Sequence, residues 1–168
     1  EPFERAVRWF YLLRSSFAAK WPPAGWGYGK SDNMASKFQT AVGLLPTFAG
    51  RFRRVQIDNL DFRECIRRYD GPETLFYCDP PYVGKEKGYP EHPFGEQDHR
   101  DLAAILHGAR GKVVLSYYPH PLIDELYPDW RRDERQFMVS SYGITGRSKA
   151  KTKPRATELL LMNFEMEH

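Results

Sequence analysis

The sequence predicts an α/β protein, and three observations carry that reading. A short apolar run at residues 74–78 ends abruptly in Asp79-Pro80-Pro81, because prolines lack the backbone N–H that a strand ladder needs. Further strand candidates at 55–58 and 112–118 are separated from it by segments with helical spacing. The chain then closes on two alternating or apolar runs, 136–142 and 156–163, which read as an antiparallel pair.

Taken in order, residues 4–17 read as a helix, with Ala6, Val7, Phe10, Tyr11 and Leu13 spaced for one face. Residues 18–34 are rich in Gly, Pro, Trp and Tyr and read as a loop. Residues 35–45 are expected to be helical, and 47–53 to continue as a short helix after Pro46. The strand at 55–58 and a helix at 62–68 lead to the central run, whose composition and length suit a buried strand. Residues 83–97 carry three glycines and two prolines and read as a loop over that strand's end, whose Lys85 and Lys87 could touch a nucleic acid but are expected first to face solvent. Asp98 is expected to cap a helix through His107 that Gly108 to Gly111 end. The strand at 112–118 follows, then a short helix at 121–126 with Tyr127 and Trp130 packed beneath it.

Composition sets the bounds. With 168 residues, 41% hydrophobic and 15% aromatic, the chain can bury one sizeable core and still carry an inserted subregion. No stretch approaches the length of a membrane span and no signal peptide is visible, so an intracellular, cytoplasmic setting is expected. Cys65 and Cys78 have no metal-ligand spacing, and no metal is expected; Cys78 reads as a small buried residue. The net charge of +3 is mild, and its distribution says more than its size. Arg51, Arg53 and Arg54 cluster beside Phe52, and Arg147, Lys149, Lys151, Lys153 and Arg155 fall within nine residues that contain no acid. Both clusters are candidates for phosphate contact, against the plainer alternative of a solvated surface.

The chemistry concentrates at Asp79-Pro80-Pro81-Tyr82. In an open α/β sheet ligands bind at the carboxyl ends of strands, and here a carboxylate, rigidly held carbonyls and an aromatic ring meet at such an end. That set suits an amino group on a flat ring. An exocyclic nucleobase amine is a poor nucleophile because its lone pair is delocalised into the ring. Asp79 can accept one N–H and the Pro80 carbonyl the other, which favours a pyramidal nitrogen with its lone pair turned away from both. Tyr82 could lie flat on a base taken out of the duplex stack. The plainer alternative is a strand followed by a rigid polar turn.

With these residues the sequence resembles the D12 class of adenine-N6 DNA methyltransferases. In that family Asp-Pro-Pro-Tyr is the catalytic motif and S-adenosylmethionine supplies the methyl group. Asn or Ser in place of Asp79 would point to glutamine or cytosine-N4 substrates, so Asp79 favours adenine N6. The resemblance spans about residues 2–164. Residues 6–17 look like the helix that introduces the family's target-recognition region, and Gly25-Trp26-Gly27-Tyr28-Gly29 the loop that follows. Residues 55–62 resemble the strand and turn that hold the cofactor's adenine, with Asp61 as acceptor and Phe62 as apolar wall. Asp98-His99 and the strand at 113–118 also fall in the expected order.

One element of the family is missing. Its Gly-rich cofactor loop has no counterpart here, because no apolar strand leads into the alternating glycines at 25–29 and Pro22-Pro23 precede them. The resemblance therefore implies a partial class I, Rossmann-like S-adenosylmethionine-dependent methyltransferase sheet without its first two strands, with an inserted helical target-recognition region. Residues 1–54 would form that region and 55–168 the carboxyl-terminal part of the catalytic domain. It implies double-stranded DNA as partner, met by Lys20, Lys30 and Lys37 in the recognition region and by the two basic clusters. The chain alone is expected to be inactive or weakly active, to self-associate at an exposed strand edge, or to need the missing amino-terminal segment. The alternatives are a non-catalytic DNA-binding or interaction fragment and a methyltransferase acting on an RNA amine.

Overall fold

The computed structural model describes residues 1–16, 33–84, 94–138 and 155–165. It is a mixed α/β structure in two compact units, Glu1–Asp58 and Asn59–His168.

The first unit is helical. Helix α1, Pro2–Ser15, opens on a proline whose absent N–H costs nothing in a first turn. Helix α2, Met34–Gly43, is capped by the Asn33 side chain, which accepts from the Ser36 N–H at 3.0 Å. Phe38 of α2 packs on Phe10 and Tyr11 of α1, with ring centroids 5.9 and 5.4 Å apart. The expected break at Pro46 falls two residues earlier. Leu44 is the hinge, and Pro46 lies in the first turn of α3, Leu45–Phe52. The strand expected at 55–58 does not form. A strand is held by its ladder, and no described strand pairs with these residues; Ile57 is left 77% exposed.

The second unit carries the sheet. Helix α4, Phe62–Tyr69, leads through the Gly71 turn into β1, Leu75–Cys78. Helix α5, Glu96–His107, crosses to β2, Lys112–Tyr117, which runs parallel to β1. Helix α6, Pro121–Leu126, precedes β3, Arg131–Met138, and the chain returns as β4, Arg155–Met162. The order is β1-β2-β4-β3, with β4 antiparallel to both its neighbours. β2 is therefore central, and its Val113, Leu115 and Tyr117 are fully buried against Leu102 and Leu106 of α5, Ile123 of α6, and Leu159 and Leu161 of β4. Tyr127 and Trp130 complete this core, as expected, packing on His107.

Three expectations need correction. β1 is a half-buried edge strand, not a buried one: Phe76 and Cys78 turn toward the core while Leu75 and Tyr77 are 63% and 65% exposed. The cause is its position, since it pairs with β2 alone among the described strands. β3 begins five residues before the expected Gln136, because its pairing with β4 runs from Arg131↔Met162 to Met138↔Arg155. Its charged residues suit an edge strand, where charge opposes further pairing. Asp98 is not the cap residue of α5: Gly95 is, and Asp98 reaches back to the Gly95 N–H at 2.8 Å.

Candidate active site

β1 ends where its ladder does. Cys78 is in register with Leu115, and Asp79, Pro80, Pro81 and Tyr82 follow as irregular backbone. Two residues on, Gly84 takes φ +78°, a left-handed conformation that other residues rarely adopt, so the chain turns away directly after the motif. The Asp79 carboxylate is exposed and makes no hydrogen bond or ion pair with other described residues. An acid in that state is free to accept from a ligand.

Beside it lies a cleft of about 360 Å³. Asp79, Pro80 and Pro81 line it together with Phe62 and Phe94, and Ile66 and Leu102 are among its apolar lining. The Phe62 and Phe94 rings are 5.6 Å apart and tilted at 48°. Cys78 also lines the cleft, and burial pushes its thiol up to about 11, so it sits there as a neutral small side chain.

Tyr82 turns toward the sheet. Its hydroxyl donates to Glu158 Oε1 at 2.6 Å and lies 2.6 Å from the Ser116 hydroxyl, while its ring meets Tyr118 edge-on at 4.5 Å. Burial, reinforced by the hydrogen bond to Glu158, pushes the phenol well above its ordinary value, so it remains a neutral donor.

Asp61 is the cap of α4, accepting from the Arg63 N–H at 2.9 Å. Arg63 binds it again through Nη1, reaches Asp98 and Asp101 of α5 at 2.6 Å each, and lies 4.3 Å over the Phe62 ring. Hydrogen bonds from this guanidinium hold the Asp98 and Asp101 carboxyls below the usual range. One arginine thus clamps α4 to α5 and fixes Phe62 at the cleft.

The structure brings together Asp79, Pro80, Pro81 and Phe62 around one cleft, with Asp61 at the start of the helix that carries Phe62 and Tyr82 directed to the sheet. Lys37, Arg51, Arg53 and Arg54 are exposed in the first unit, and Arg155 is exposed at the start of β4. Lys20, Lys30, Arg147, Lys149, Lys151 and Lys153, with most of the loop expected at 83–97, lie outside the described residues. Sequence reasoning missed Arg63, Ser116 and Glu158. A signal existed for the last two: Ser116 is a lone polar residue within the apolar run 113–118, and Glu158 is the one acid of its strand, directly before Leu159-Leu160-Leu161-Met162. Among the described residues no group of three His, Cys, Asp or Glu side chains could hold a metal, and no helix is long and apolar enough to cross a membrane.

An α/β sheet with an exposed carboxylate, a proline pair and a ring at one strand's carboxyl end presents hydrogen-bond acceptors where open sheets bind ligands. The family model for D12 class N6 adenine-specific DNA methyltransferases matches residues 1–140. The chain belongs to that family, whose substrate is adenine in DNA. No curated protein matches the chain.

Proposed function

We propose that this chain holds an adenine for transfer of a methyl group from S-adenosylmethionine to its N6 in double-stranded DNA. The observation that carries the reading is the exposed Asp79 carboxylate, unpaired among the described residues, lining a cleft that Phe62 and Phe94 also line and directly followed by two prolines. Asp79 and the Pro80 carbonyl accept the two amine protons, and the lone pair is turned away from both. Tyr82 stacks on the flipped base. Proline fixes φ, so Pro80 and Pro81 keep carbonyl and ring at a constant offset from Asp79.

The cleft's makeup fits the nucleoside part of S-adenosylmethionine, a flat ring suited to walls of Phe62 and Phe94 and an apolar floor. When bound, that molecule supplies the methyl group from a sulfonium centre. Phe62 is the apolar wall for its adenine and Asp61 an acceptor at the helix start. Because Asp61 also caps α4, Asp61→Asn is the informative variant: it removes the charge and keeps the cap. The exposed Lys37, Arg51, Arg53, Arg54 and Arg155, with the basic residues outside the described segments, are proposed to meet phosphates.

The test is transfer of a labelled methyl group from S-adenosylmethionine to adenine-containing duplex DNA, with Asp79→Ala as the paired variant. At most weak transfer by the parent chain, abolished in Asp79→Ala with general DNA affinity kept, is the expected result. Transfer that survives in Asp79→Ala refutes the assignment. Calorimetric titration with S-adenosylmethionine asks separately whether the cleft holds the nucleoside, and binding should weaken in Asp61→Asn.

A further inference from the structure

We propose that Glu158, with Ser116, is the positioning residue for the Tyr82 ring and so sets the surface on which the base stacks. This rests on the reading of Tyr82 given above. Glu158 lies beyond residues 1–140, so the family match assigns it nothing.

The geometry is a three-oxygen hub. Glu158 Oε1 accepts from the Tyr82 hydroxyl at 2.6 Å and from the Ser116 hydroxyl at 2.8 Å, and those two hydroxyls are themselves 2.6 Å apart. The three residues come from separate parts of the chain: Glu158 is 76 positions from Tyr82 and 42 from Ser116. Ser116 is fully buried on the central strand β2, and Glu158 is half-buried on β4 beside it. An acid in the strand Thr157-Glu158-Leu159-Leu160-Leu161 is costly to desolvate unless it gathers donors. Here it gathers two, and hydrogen bonds to a carboxylate are shorter and stronger than those between neutral groups.

The consequence for the ring follows from how a tyrosine moves. Its backbone follows Pro81 and its hydroxyl is held by Glu158, so the long axis of the side chain is fixed at both ends. Rotation about that axis is then limited by Tyr118, whose ring meets Tyr82 edge-on at 69°, and by Tyr117 at 5.9 Å. A ring held in place before the base arrives loses no rotamer freedom on stacking. Without Glu158 the hydroxyl end is released and this advantage is lost.

The test compares binding of the full chain to a short labelled oligodeoxyadenylate and to an abasic oligonucleotide of equal length, by fluorescence anisotropy. A single strand removes any dependence on a recognition sequence, and the ratio of affinities isolates the contribution of the base. Base–aromatic stacking predicts a preference for the adenine strand of roughly 5- to 150-fold. Glu158→Gln retains an accepting oxygen and should keep this ratio. Glu158→Ala should reduce it by about 2- to 12-fold, the cost of ordering one side chain, while abasic affinity is unchanged. Glu158→Leu, which matches the neighbouring leucines, serves as the second variant if the alanine form fails to fold. An unchanged ratio in Glu158→Ala or Glu158→Leu, with loss in Tyr82→Ala, overturns the positioning role and leaves the stacking reading intact. An unchanged ratio in Tyr82→Ala, or no preference in the parent chain, overturns the stacking reading and the positioning role with it.

Discussion

Gly111→Ala tests how tightly the strand carrying the site is held to the sheet. A Cβ built at Gly111 would lie 2.7 Å from the Thr74 carbonyl oxygen, 3.0 Å from that of Gly71 and 3.2 Å from Thr74 Cβ. Two of these atoms are backbone and cannot swing aside. Thr74 also accepts from the Lys112 N–H at 2.9 Å, the hydrogen bond that starts the β1–β2 pairing. Relieving the overlap therefore strains or lengthens that bond. Overpacking of this kind costs about 1–3 kcal/mol, and a weakened hydrogen bond adds up to about 1 kcal/mol. Reduced freedom of the unfolded chain returns about 0.4–1 kcal/mol. The net expectation is a loss of about 2 kcal/mol, or about 5–10 °C in Tm for a domain of this size. Gly108→Ala is the matched control, three residues away. Its Cβ would meet nothing closer than the Ile105 carbonyl at 3.6 Å, and its φ of −89° suits alanine, so the entropic gain should appear alone. Urea denaturation of both variants gives the comparison. If Gly111→Ala is as stable as Gly108→Ala, the close approach of β1 to the β2 turn is not the constraint described.

Two further perturbations bear on the same unit. Arg63→Met removes the guanidinium whose hydrogen bonds lower the Asp98 and Asp101 carboxyls. Groups with depressed folded values contribute stability above their unfolded value near 4, and that contribution is lost as pH falls through the folded value. Arg63→Met should therefore be less stable than the parent at pH 7, with a gap that narrows below about pH 4; a gap that is constant or widens in acid would contradict the clamp. Tyr117→Phe deletes the hydroxyl that lies 2.7 Å from His99 Nδ1 in a fully buried pair. It should lower stability by about 1–3 kcal/mol, and a denaturation midpoint equal to the parent's would show that the pair contributes nothing.

How much of this was legible in the sequence depended on whether the deciding contacts were local. The end of β1 was readable because two prolines terminate a ladder whatever the surroundings, and α4, β2 and α6 were readable because their spacing and caps lie within a few residues. Local pattern fails where a partner decides. Residues 55–58 have the composition of a strand and no described strand to pair with, so they do not form one. Arg131 to Arg135 have the composition of a solvated loop, yet β4 supplies a ladder and they join it. Leu75 and Tyr77 look like core residues, but β1 is an edge and their face is left exposed. The candidate site divides in the same way. Asp79 to Tyr82 are contiguous and declare themselves by residue type, whereas the carboxylate that receives the Tyr82 hydroxyl is 76 positions away. A lone acid among leucines marks such a residue without naming its partner: Glu158 could as well have faced solvent on an edge strand. What fixes its partner is topology, because β2 lies between β1 and β4 and brings Ser116 and Glu158 to the strand end from which Tyr82 projects.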